Sequence, residues 1–227
     1  MEQFSRALFP GPAVLDKSKK AVIFKMEPKP PDFMNNLHVA REFLGNCCNL
    51  SEEAFSLSTN MWESREFSKG EKFSKKGQVC RISGFIVDGY FRTYKIDTDD
   101  EERNVFLHSP GQTLVSFISF VQQTPCEYYI EAITDAKVIY IGYNELQELY
   151  KASAEWEKVG RLFAEYAYSL VEKRFLGYYD LTPEERYRKL LNEAPEIFNV
   201  VSLTDISSFL GIEFQSLSRI RKRISKQ

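Results

Sequence analysis

The feature that most constrains this chain is a change of hydrophobic period near residue 143. From residue 65 to 143, runs rich in Tyr, Phe, Ile and Val ("FIVDGYFRTYKI", "NVFLHSPGQ", "EYYIEAI", "KVIYIG") are separated by glycine or acidic turns about every ten residues. Short runs with frequent turns predict a compact antiparallel β-sandwich or roll. Asp88-Gly89, between "FIV" and "YFRTY", reads as a hairpin turn, because glycine supplies the positive φ such a turn needs. After residue 143, "NELQELYKASAEWEKVGRLFAEYAYSLVEKRFLGYY" contains no proline and has a helical period, with Ser153 dividing a short helix from a long one. In the long part Trp156, Val159, Phe163, Tyr166 and Leu170 recur at 3-4-3-4 spacing. That narrow seam suits pairing with a second helix and is assigned to a homodimer interface. The alternative is a helix lying on its own β domain.

Composition bounds the classes of function. A chain of 227 residues, 43% apolar and 14% aromatic, can bury a core in one or two domains. The opening "MEQFSRALFPGP" lacks the pattern of a signal peptide, and no apolar run reaches the ~18 residues of a membrane span, so a cytoplasmic protein without membrane contact is expected. Cys47, Cys48, Cys80 and Cys126 fit no zinc or iron–sulfur spacing and read as small buried thiols. With only His38 and His108, a multi-histidine metal site is not expected. Neither a nucleophile–base pair nor a phosphate loop stands out, so the chain is read as a non-enzyme that needs no metal. Five prolines between residues 10 and 31 mark an irregular arm over 1–35, with one strand at "AVIF". "HVAREFLGNCC" and "SEEAFSLSTNM" read as two short helices, the second capped by Ser51.

The C-terminal segment carries the most specific signal. Thr182, Pro183 and Glu185 form a T-x-x-E capping box with proline at the first helical position. Ser202 and Asp205 form a second box, S-x-x-D. Ile206, Phe209 and Leu210 then give an apolar face, Ser207 permits close crossing, Gly211 permits reversal, and Ile212 plugs the corner. Leu217, Ile220 and Ile224 turn the next helix inward. This is the helix-turn-helix pattern. The outward face of its second helix carries Gln215, Arg219 and Lys222, flanked by Ser216, Arg223 and Lys226. Gln and Arg on one face suit bidentate hydrogen bonds to base edges, and the remaining cations suit phosphates. Ser202, at a helix N-terminus, is a candidate phosphate contact as well as a cap.

Taken together, "KKGQVCRISGFIVDGYFRTY", "SPGQTLVSFISFVQQTPCEYYIEAI", "EERYRKLL" and "LTDISSFLGIEFQSLSRIRKRI" resemble the Crp–Fnr superfamily of bacterial transcription regulators, in a short branch without a wing after the recognition helix. The resemblance implies an α+β chain. Residues 1–35 are an arm, 36–143 a cyclic-nucleotide-binding-like antiparallel β-roll, 144–179 a dimerisation helix and 180–227 a DNA-binding domain. It also implies a pseudo-palindromic operator bound by a homodimer, contact with RNA polymerase, and a small effector in the roll. The positions matching the family's effector pocket are Gly111, Gln112, Cys126 and Glu127. The family's Gly-Glu pair reads Gly111-Gln112, and no arginine occurs between Arg103 and Arg161 to meet a cyclic phosphate. A buried phosphate without a guanidinium pays a large desolvation penalty, so cyclic nucleotide is not expected to bind in the family's usual manner. Two other readings remain open. One is a ligand-sensing module acting through protein contacts; the other is a cupin-like metalloprotein, for which only His108 falls in the β region.

Overall fold

The computed structural model describes residues 31–224; the strand expected at "AVIF" and the cation Lys226 lie outside them. Helix α1 (Pro31–Cys48) begins inside the segment read as an arm, and earlier than the expected helix. Proline tolerates the first helical position because its missing N–H has no intrahelical partner there. Phe33, Leu37, Ala40, Leu44 and Cys48 form its buried stripe. Helix α2 (Glu52–Ser58) is capped as expected: the Ser51 hydroxyl accepts from the Ala54 amide at 3.2 Å.

Eight strands follow: β1 (Trp62–Phe67), β2 (Lys72–Ser74), β3 (Ile82–Asp88), β4 (Phe91–Ile96), β5 (Glu102–His108), β6 (Thr113–Leu114), β7 (Tyr129–Ala132) and β8 (Ala136–Gly142). They form two four-stranded antiparallel sheets, ordered β1-β8-β3-β6 and β2-β7-β4-β5. This is the jellyroll-like arrangement expected of the α+β fold, and it encloses Phe67, Phe85, Phe91, Ile130, Val138 and Ile139. Inside the second sheet, His108 bonds through Nε2 to the buried Thr93 hydroxyl at 2.8 Å. Burial pushes the imidazole down to about 4, so it is neutral at neutral pH.

The Asp88-Gly89 reading needs correction. Gly89 does turn, with φ +86°, and a Cβ there would lie 2.4 Å from that of Ala136. Yet β3 and β4 do not pair; the turn carries the chain from one sheet to the other. A glycine turn reports backbone reversal, while strand pairing depends on partners far along the chain. The antiparallel neighbours joined by a short acidic turn are β4 and β5.

Helix α3 (Phe117–Gln122) interrupts the region read as all β. Helices α4 (Tyr143–Ala152) and α5 (Ala154–Asp180) are separated at Ser153, whose extended backbone (φ −145°, ψ 123°) ends one helix while its side chain caps the next. Helix α6 (Pro183–Glu193) carries the complete Thr182–Glu185 capping box, and the Thr182 hydroxyl holds the Glu185 carboxyl below the ordinary glutamate range. The short α7 (Ile197–Val200), unmarked in the sequence, leads to α8 (Leu203–Leu210) and α9 (Phe214–Ile224). Among the described residues no helix is long and apolar enough to cross a membrane.

Candidate nucleic-acid interface

Helices α8 and α9 meet at Gly211, whose φ of +61° places it in the left-handed region. A Cβ at this position would lie 1.9 Å from the Tyr178 hydroxyl of α5. Glycine is therefore required twice, by the backbone and by the neighbour. Ile206, Leu210, Ile212, Leu217 and Ile220 are buried in one cluster with Tyr187, Leu190 and Ile197, and Ser207 is buried at the crossing. The two helices and the left-handed glycine between them, expected from the apolar spacing, are present.

That packing leaves Gln215, Ser216, Arg219, Lys222 and Arg223 of α9 exposed, together with Ser218 and Arg221. Gln215, Arg219 and Lys222, at i, i+4 and i+7, share one face opposite the buried side chains. Arg223 lies to one side and pairs with Glu184 of α6 at 3.1 Å. Because it already has a carboxylate partner, contact with a phosphate requires exchange of that pair.

Ser202 caps α8, its hydroxyl accepting from the Asp205 amide at 3.0 Å. The same hydroxyl donates to the Asp205 carboxylate at 2.6 Å. The other carboxylate oxygen accepts from Arg92 of β4 and Asn104 of β5, both at 2.9 Å. A carboxylate thus already neutralises this helix N-terminus, and the first turn of α8 is bonded to the β-roll. The phosphate contact expected of Ser202 would have to displace Asp205.

The bonding of α8 to the roll is extensive. The Ser208 hydroxyl accepts from the Asn104 amide at 2.9 Å and donates to the Glu102 carbonyl at 3.2 Å. It stands where a neighbouring strand would satisfy the edge of β5. Arg92 also reaches Glu102 at 2.6 Å and Glu131 at 3.3 Å, and lies 4.3 Å from the Tyr94 ring centre. Tyr90, Leu107 and Ile133 of the roll pack on the apolar cluster of α6, α8 and α9. From α5, Arg174 donates to the Phe209 carbonyl and stacks 3.8 Å from the centre of its ring. At the start of β5, Arg103 is held by Asp97 of the β4–β5 turn at 2.8 Å and feels the field of Glu213, the residue before α9. The acidic turn 97–102 therefore lies near the start of α9. Sequence reasoning missed Arg92, Asn104 and Ser208, because each looks like an ordinary solvated residue until α8 is laid on β5.

The four positions matching the effector pocket differ in exposure and in partners. Gly111 turns with φ +81°, and the exposed Gln112 folds back, its amide oxygen accepting from the Ser109 N–H at 3.2 Å. Cys126 is buried against the Ser116 hydroxyl at 2.9 Å, while Glu127 is exposed. A groove of about 420 Å³ lies elsewhere, between Phe67, Ala136 and Lys137, and its carboxylates Glu66, Asp88 and Asp135 suit it poorly to an anion.

The seam assigned to a dimer needs correction at Trp156 and Val159. Trp156 is 1% exposed and Val159 4%, both within the chain's own core, and the Trp156 indole donates to the Ala54 carbonyl at 2.8 Å. Phe163 meets Phe117 and Tyr166 meets Phe43, with ring centres 5.9 and 5.6 Å apart. Of the five residues, Leu170 alone is exposed. Trp156 and Val159 are thus taken up within the chain, whereas Phe163 and Tyr166 stay half-buried beside α3 and α1. The apolar residues left outside are Tyr168, Val171, Phe175 and Tyr179, with Leu176 and Tyr178 beside them.

Comparison with known proteins agrees with this architecture. Residues 64–153 match the family described as the cyclic nucleotide-binding domain. No curated protein matches the chain in sequence. FixK2 from Bradyrhizobium japonicum superposes with a TM-score of 0.62 at 21% identity, over 73% of this chain and 85% of that one. The c-di-GMP responsive global regulator CLP of Xanthomonas campestris gives 0.57 at 13%, over 78% and 92%. The catabolite activator protein of Thermus thermophilus gives 0.50 at 14%, over 78% and 84%. These three are Crp–Fnr family transcription regulators. At such identities the shared property is the fold: a jellyroll-like region, a long helix and further helices.

Proposed function

We propose that this chain, built on a cyclic nucleotide-binding domain, is a sequence-specific DNA-binding transcription regulator that acts as a homodimer. The observation that carries the reading is the face of α9. Gln215, Arg219 and Lys222 stand exposed on a helix whose opposite side is anchored by Leu217 and Ile220. Two such helices related by a dimer axis enter successive major grooves about 34 Å apart, so the target is a pseudo-palindrome. The second copy is expected on the exposed band Tyr168, Val171, Phe175 and Tyr179 of α5.

The bonds between α8 and the roll suggest how an effector would act. With Asp205 held by Arg92 and Asn104, and the acidic 97–102 turn near α9, DNA phosphates meet repulsion on that side. An effector that weakens this attachment would free the reading domain. A cyclic nucleotide held by an arginine is not the expected effector, because Gln112 and Glu127 supply no cation and Cys126 is buried. RNA polymerase remains a further expected partner.

The test is selection of binding sites from random duplexes by the full chain. Enrichment of a symmetric site, with affinity falling steeply as salt rises, is expected. Failure to enrich any site, alone or with metabolites that raise the melting temperature, would sink the reading.

A further inference from the structure

Helix α9 opens with a large apolar side chain that nothing in the fold requires. Phe214 is 50% exposed, whereas the apolar face of the same helix is already filled by Leu217, Ile220 and Ile224. Among the described residues after α5, it is the one exposed large hydrophobic side chain. Leaving a phenyl ring half in water forgoes stabilisation that a polar residue at this exposed first turn would not have to supply. Its position is specific. Residues 214, 218 and 222 descend one side of α9, so Phe214 borders the face that carries Gln215 and Lys222. As the first helical residue, it projects toward and past the N-terminal end, and recognition helices present base edges with that end.

We infer that Phe214 is a base-reading residue, and that its ring packs against the C5-methyl group of a thymine in the major groove. This rests on the DNA-binding reading above and adds to it the base that α9 recognises. Three observations favour a thymine over another apolar partner. The surrounding exposed side chains are Gln215, Ser218, Arg219, Arg221 and Lys222, a polar and cationic setting that suits a nucleic acid and would leave charges unpaired against an apolar protein surface. In the major groove the thymine methyl is the apolar group available, and phenylalanine is a suitable contact for it. Gln215, the next residue, suits bidentate pairing with adenine, so the two together describe an A·T-containing step in each half-site.

The test uses the full chain and the site enriched by selection. Each thymine is replaced in turn by uracil, which removes the methyl and leaves every hydrogen-bonding group in place. Wild-type protein should lose about fourfold in affinity per half-site at one symmetric thymine, the effect expected for one buried methyl. Phe214→Ala should bind the thymine and uracil duplexes equally, and Phe214→Leu should retain part of the difference. Because the ring is exposed, both variants should melt with the wild type, which separates reading from folding. A thymine-to-uracil ratio unchanged by Phe214→Ala at every position overturns the inference while leaving the DNA-binding reading intact. If no site is enriched, both fall together.

Discussion

The two halves of α5 carry comparable apolar side chains and differ in what covers them. Trp156 and Val159 are sealed against α1, α2 and the roll, and Phe163 and Tyr166 meet rings of the same chain. Past residue 167 the pattern reverses: Tyr168 is 68% exposed, Phe175 58% and Tyr179 74%. This second half is tied to the rest of the chain mainly at its polar and aromatic margins, through Arg174 on Phe209 and Tyr178 over Gly211. One helix thus welds itself to the β-roll at its start and reaches α8 and the α8–α9 turn at its end. The first half is built for stability. The second leaves an apolar face exposed and holds α8 by contacts that can be exchanged.

That contrast can be broken at the first half with the largest effect. Trp156→Ala removes a buried ring and its hydrogen bond to Ala54, and should cost about 3–5 kcal/mol in chemical denaturation. A loss under ~1 kcal/mol would mean the first half is not part of the core. At the second half, Arg174→Met should cost less, about 1–3 kcal/mol, since it removes a charge-assisted hydrogen bond and a ring contact. The expected readout is faster amide exchange in α8, with the roll unchanged.

The roll on which the first half rests should also respond to acid through His108. Its folded value of about 4 lies below the ordinary 6.5, so between these values the unfolded chain takes up a proton that the folded chain does not. Stability is therefore intact above about pH 6.5, falls as the pH drops, and loses about 3 kcal/mol from this group by about pH 4. Comparing wild type with His108→Gln over that window measures the term as a difference in slope. Equal slopes would show that the imidazole titrates normally. The smallest stability effect belongs to the free face: Val171→Ala with Phe175→Ala should change protomer stability by only about 0.5 kcal/mol. Sedimentation should nonetheless show dimers dissociating; a pair variant that stays fully dimeric would place the second copy elsewhere.

Much of the fold was legible because it is written locally. Alternation with frequent turns marked the roll, and Ser153 marked the break between α4 and α5 through a cap that acts within one turn. Likewise the exposed face of α9 followed from helical spacing. The Asp88-Gly89 turn was legible as a turn but not as a crossing between sheets, since pairing of β4 with β5 and β7 is decided elsewhere. Arg92 was invisible because its partner Asp205 is 113 residues away.

By itself, the sequence determined the capped starts of α2, α6 and α8 and the break at Ser153, where the backbone must turn left-handed at Gly211, and which side chains of α9 point away from its own core. Each depends on interactions within a few residues. Only the tertiary structure decided that Trp156 and Val159 of the α5 stripe lie in the chain's own core, and that Asp205 is held by β4 and β5 and not left for a phosphate. An apolar stripe or a carboxylate specifies the chemistry of its partner, not its address. The address is set by which distant element can be brought against it with its hydrogen bonds satisfied.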